Sequence, residues 1–163
     1  MAVPLTGMKS GLSLLDDVEL FGRIADRIAR EHPEISRGRA GQILDQAVLF
    51  VATAGQYPDM GLSPSAEVDI GWDTFILYTK EYFDFCARVA GRYVHHTPID
   101  RPGEEPLLPD GEPPLTPGET ADVMRKRGYW VLEDLWPATA TVGPCYVGTH
   151  EGGSDEGKPP PRQ

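Results

Sequence analysis

A chain of 163 residues with 40% hydrophobic content supports one domain with a buried core and leaves no room for two comfortable ones. Its 25 Asp and Glu against 15 Lys and Arg give a net charge of −10, which repels phosphate backbones and anionic headgroups, so nucleic acid is excluded as an expected partner. No stretch approaches the ~20 apolar residues of a membrane span, and Pro4, Gly7 and Gly11 interrupt what would be the apolar part of a leader. A soluble, cytoplasmic protein with no membrane partner is therefore expected.

Residues 1–12 read as a flexible N-terminus. From Ser13, a candidate N-cap, Leu15, Val18, Phe21, Ile24 and Ile28 recur at helical spacing with acids early and arginines late, and the pattern stops before Pro33. A second helix follows Ser36 and runs through Ile43, Leu44, Ala47, Val48 and Val51 to Gly55. It is apolar nearly all round, which predicts a central position in a bundle. Ser65 is placed to cap a third helix, predicted as one continuous element from Ala66 through Trp72, Tyr82, Cys86 and Val89 to a left-handed stop at Gly91. These elements form an expected helical core over residues 13–98, with an extended segment after Gly91.

Residues 99–117 are rich in proline, glycine and acid and read as an extended surface linker. Thr116-Pro117-Gly118-Glu119 has the form of a capping box with proline at the first helical position, opening a short helix that ends at Gly128. Residues 118–136 are expected to dock on the core through Tyr129, Trp130, Leu135 and Trp136. Residues 137–163 hold a Cys/His-containing turn and a tail beyond His150 too polar to fold. The predicted class is all-α: a small helical bundle with a proline-rich linker, a docked aromatic segment and a disordered C-terminal tail.

Two features of this pattern carry chemistry. Asp69 and Asp73 are four residues apart, so on a helix their carboxylates share one face beside Trp72, and an apolar helix must compensate them with a metal ion, a cation such as Lys80, or helix N-terminal amides. His95 and His96 lie past the other end of the predicted helix, about 35 Å or more away at ~1.5 Å rise per residue, and reach the aspartates only if the helix breaks at Gly71 or the following segment folds back. In an extended segment only one of the two histidines faces a given site, and either is equally placed to cap the helix C-terminus. Cys145 and His150, five apart among glycines, are half of a tetrahedral metal site. Of the two thiols, Cys86 is expected buried and Cys145 accessible. No phosphate-binding loop, nucleophile elbow, H-E-x-x-H or C-x-x-C motif is present.

The run P-S-A-E-V-D-I-G-W-D-T-F-I-L-Y-T-K-E-Y-F-D-F-C-A-R-V-A-G-R-Y-V-H-H-T-P, residues 64–98, resembles the core motif of the glycine-rich domain-containing protein-like family. Asp69, Trp72, Tyr82, Cys86, Gly91 and His96 match by position, while Asp73 stands where that family usually has histidine. The resemblance implies a fold and a polar centre, not a reaction. The candidate metal ligands are thus Asp69, Asp73 and His96, with Cys145 and His150 as a second set, and Trp72, Tyr82, Cys86 and His95 around the pocket. Two readings follow: an accessory protein, enzymatic or not, with a divalent metal and a small-molecule substrate, or a module that binds another protein and uses the Asp and His residues only to lock its fold. Haem ligation by His95 or His96 is a third, selected by nothing specific.

Overall fold

The computed structural model describes residues 7–101, 103–139 and 142–148. Its order is α1 (Gly11–Leu15), α2 (Val18–Glu31), α3 (Arg37–Ala54), α4 (Ala66–Ile76), α5 (Thr79–Phe85), a π-helical turn (Cys86–Ala90), β1 (Thr97–Pro98), α6 (Pro117–Lys126) and β2 (Cys145–Tyr146), with single 3-10 turns at Pro58–Met60 and Glu133–Leu135. The regular structure of the described residues is helical apart from a two-stranded antiparallel ladder that pairs Thr97 with Tyr146 and Pro98 with Cys145, and an isolated bridge between Lys9 and Tyr129. No helix among them is long and apolar enough to cross a membrane.

α3 is the axis of the bundle. Every residue from Ile43 to Ala54 is buried, and α1, α2, α4 and α6 all pack on it. α3 and α4 approach closely at Gly71, where a Cβ would lie 2.9 Å from Ala47 Cβ and 3.0 Å from the Ile43 carbonyl oxygen. The local caps form as their side chains dictate: Ser36, Ser65 and Thr116 accept from the amides of Arg39, Val68 and Glu119 respectively, each satisfying an otherwise orphaned helix N–H.

Three sequence expectations are corrected. The first helix is two. Ser13 is not its N-cap; Ser10 caps α1 in a capping box with Ser13, Asp16 takes a left-handed φ of 56°, and Asp17 caps α2 by accepting from Leu20 N–H. Adjacent aspartates favour this because their short carboxylates bond local amides and tolerate the left-handed region. Residues 9–12, assigned to a flexible N-terminus, are instead held in place: Lys9 exchanges backbone hydrogen bonds with Gly128 and Trp130, and Leu12 N–H donates to the Asp45 carboxylate.

The helix predicted as continuous to Gly91 breaks at Leu77–Tyr78, where neither glycine nor proline stands. Residues seven apart on a straight helix are about 10 Å apart along its axis; the bend brings the Phe75 and Tyr82 rings to 5.1 Å, edge to face, with Phe75 also packed on Phe85. After the π-turn, Gly91 (φ 81°) reverses the chain. The Tyr82 hydroxyl donates to the Val94 carbonyl at 2.5 Å and pins the returning segment alongside α4.

The linker also touches the core. Leu108 is buried, Leu115 N–H donates to the Gly61 carbonyl, and Ser63 N–H donates to Thr120 Oγ1 in α6. Tyr129, Leu135 and Trp136 are buried as well.

Candidate metal centre

Asp69 sits in the first turn of α4, with its backbone N–H bonded to the carbonyl of the N-cap Ser65. Its side chain points inward and is nearly buried. Asp73 lies one turn on, with its side chain 59% exposed at the edge of the site. The returning segment brings His96 between them. Nε2 of His96 is 2.9 Å from Asp69 Oδ1 and 2.9 Å from Asp73 Oδ1, and its ring packs on Trp72 with centroids 4.4 Å apart. The separation that the sequence assigned to these groups thus disappears, because the break falls at Leu77–Tyr78 instead of Gly71 and the segment after Gly91 doubles back.

Cys145 completes the cluster from the opposite end of the chain. Its expected accessibility is corrected: it is fully buried, because β2 pairs with β1, Ile99 N–H donates to the Pro144 carbonyl and Val147 N–H donates to the Leu62 carbonyl. Gly143 lies against the Pro64 carbonyl, where a Cβ would clash. The chain therefore enters close against the start of α4 and presents the Cys145 thiol to Asp69 Oδ1 at 2.7 Å. His150, paired with Cys145 in the sequence reading, lies outside the described residues.

The remaining candidates fall into two groups. Trp72, Tyr82 and Cys86 are buried beneath the cluster. Trp72 packs edge-on against Phe50, and its indole N–H donates to the Tyr82 oxygen at 3.0 Å, so Tyr82 both accepts and donates. They hold His96 and Val94 in position. His95 points away, exposed, with its ring 4.7 Å from that of Tyr93. Adjacent residues of an extended segment diverge in this way.

Electrostatics follow from this packing. Burial works against the His96 imidazolium, but hydrogen bonds and charge from Asp69 and then Asp73 outweigh it and hold the group up at about 9. Burial, reinforced by the adjacent Asp69 carboxylate, pushes the Cys145 thiol well above its usual range. At neutral pH the cluster thus holds a protonated imidazole and a protonated thiol. A divalent cation in place of those two protons would leave the charge of the cluster unchanged. Thiol, imidazole and carboxylate are also the groups that give up a proton, or carry none, to bind zinc. One donor atom each from Asp69, His96 and Cys145 all lie within 4.8 Å of one another.

Beside the cluster opens a groove of about 470 Å³, bounded by Glu31 and His32 at the end of α2, the outer face of α4 from Ile70 to Leu77, and His96. The sequence reading missed Glu31 and His32, since their tie to the site exists only through the packing of α2 on α4. The sequence pairs Cys145 with His150 and leaves its segment to close the Asp69, Asp73 and His96 pocket; the structure sets the thiol against Asp69, and the weak strand signal of the flanking Tyr146 and Val147 is what points there.

A family model described as UCP032817-like matches residues 11–104, a span that contains Asp69, Asp73 and His96 and ends before Cys145. It names no glycine-rich family. No curated protein and no solved structure matches the chain.

Proposed function

We propose that this chain, which belongs to the UCP032817-like family, is a metal-binding helical accessory protein holding a divalent transition-metal ion between Asp69, His96 and Cys145. The convergence of three donors of different chemistry from three separated parts of the chain carries this reading. Mixed nitrogen, sulfur and oxygen donors favour zinc over magnesium or calcium, which prefer oxygen alone. Three protein donors beside an exposed second carboxylate, Asp73, resemble zinc sites that keep a position open more than the closed four-ligand structural sites. The likeness of residues 64–98 to the glycine-rich domain-containing motif supports the same centre. There, histidine at the position of Asp73 would supply nitrogen where this chain supplies oxygen. A cytoplasmic setting would suit it, because both cysteines are free thiols and Cys145 must stay reduced to bind.

The test is metal analysis of protein purified under reducing conditions, followed by zinc titration. Near-stoichiometric zinc in the wild type, reduced at least tenfold in Asp69→Ala, His96→Ala and Cys145→Ser variants that remain folded by circular dichroism, is the expected result. Wild-type protein that neither carries nor takes up zinc, cobalt or iron would overturn it. That outcome would leave the second reading, a protein-binding module in which His96 and Cys145 are joined to the carboxylates as a fold lock. The ion pair and thiol hydrogen bond of Asp69 are what favour it.

A further inference from the structure

We infer that the groove beside the cluster binds a small organic amine, its ammonium head held between Glu31 and Asp73 and its apolar body lying on Ile70, Ile76 and Leu77. The observation behind this is the cavity and its lining, and it does not require the metal. A volume of about 470 Å³ suits a small molecule, within the range of roughly 300–1,000 Å³ typical of such sites. The groove is lined by carboxylates, imidazoles and apolar side chains, with no Lys or Arg among its described lining residues. Glu31 and His32 are the last residue and the C-cap of α2, so the negative end of that helix lies at the groove.

The charges around the groove all bear on the choice of ligand. Glu31 is paired with Arg27 at 2.9 Å, but both partners are substantially exposed and such a pair is weak and readily rearranged. His32 faces Glu34 at 3.5 Å, and Asp73 shares His96 with Asp69. A carboxylate accepts at both of its oxygens, so Asp73 can receive an N–H as well as hold His96. The His96 cation at the groove's edge is held between Asp69 and Asp73, so beyond it an anionic ligand would meet Glu31 and a chain of net charge −10, whereas an ammonium is drawn in by the same field. The exposed side chain of Leu77 and the half-buried Ile70 and Ile76 give an alkyl or aryl body apolar surface to cover.

The test titrates the full-length protein with hexylammonium, hexanoate and hexanol, by calorimetry and by methyl NMR of the isoleucines and leucines. Hexylammonium is expected to bind saturably and at least tenfold more tightly than hexanoate, to shift Ile70, Ile76 and Leu77, and to lose at least tenfold in affinity in the Glu31→Gln/Asp73→Asn double variant, whose altered side chains are solvent-facing and whose thermal unfolding serves as a folding check. Equal affinity for amine and acid, or shifts confined to other methyls, would overturn the inference. Cys145→Ser separates it from the metal reading, since this change removes a metal donor and leaves the groove lining untouched. Zinc uptake without amine binding in the wild type sinks the groove inference alone. Saturable amine binding in the wild type and in Cys145→Ser, with no zinc in either, supports it while the metal reading fails.

Discussion

Two nearly buried aspartates, Asp45 on α3 and Asp69 on α4, each tie a distant stretch of chain to the bundle, yet they do so with different chemistry. Asp45 accepts from the backbone amides of Gly11 and Leu12 and from the Gln46 side chain. Gln46 in turn donates to the Trp130 carbonyl and accepts from Leu132 N–H and the Trp136 indole. Every donor to Asp45 and Gln46 is an amide or indole N–H with no affinity for a metal, so the pair is a closed fastening between the N-terminal segment, α3 and the aromatic segment. Around Asp69 the donors are an imidazole and a thiol, groups that exchange their proton for a metal ion. Burial of a carboxylate therefore does not by itself mark a functional site; the nature of the groups that satisfy it does.

The largest expected difference between the two is the response to chelation. If a metal is bound at a thousandfold excess over its dissociation constant, it contributes about 4 kcal/mol of stability. Stripping the wild type should then lower its melting temperature by on the order of 10 °C, at roughly 2–4 °C per kcal/mol for a chain of this size. Asp69→Ala should melt at the same temperature with or without chelator, while Asp45→Ala should keep the full chelator-dependent shift. Equal chelator responses in wild type and Asp69→Ala, measured by scanning calorimetry, would collapse the distinction.

Next in size is the cost of opening the structural fastening. Gln46→Ala leaves the Leu132 amide, the Trp136 indole and the Trp130 carbonyl without their buried partner. At about 1–3 kcal/mol for each buried group left unsatisfied, a total loss on the order of 3 kcal/mol or more is expected in denaturant titration. Zinc binding per folded molecule should not change. Gly71→Ala tests the shared wall between the two aspartates, because its methyl would press on Ala47 and Ile43 across the α3–α4 contact. Overpacking of this kind costs roughly 1–3 kcal/mol, and a stability equal to wild type would mean that the helices separate freely.

The contrast also shows what a sequence can reveal. The caps at Ser36, Ser65 and Thr116 and the stop at Gly91 were legible because each involves residues within a few positions of one another. The shared face of Asp69 and Asp73 was legible for the same reason. The bend at Leu77–Tyr78 was not, since its cause is the packing of Phe75 on Tyr82 and Phe85 and the anchoring of Val94, none of which leaves a breaker residue in the chain. The union of Asp69 with Cys145 spans 76 positions and depends on a two-residue ladder and a glycine at the Pro64 carbonyl. The Asp45 and Gln46 fastening left no signal either, because two polar residues in a helix that is otherwise apolar all round look like its solvent face.

The smallest effect concerns the pH response of that fastening. Burial raises the Asp45 carboxyl above its unfolded value of 3.8, against the lowering effect of the Leu12, Gly11 and Gln46 hydrogen bonds. A group raised on folding binds its proton more tightly in the native state, so its contribution is fully present below about pH 3.8 and is lost as pH rises through the raised native value. Asp45→Asn fixes a neutral side chain that keeps an oxygen for Leu12 N–H, and so resembles the protonated aspartate at every pH. The variant should match the wild type near pH 4 and melt slightly higher at pH 8, by less than about 4 °C, which corresponds to roughly 1 kcal/mol. A wild type that gains stability relative to Asp45→Asn between pH 4 and pH 8 would show that the amide donors, not burial, dominate at Asp45. The carboxylate would then be held there as an anion, much as the metal reading requires of Asp69.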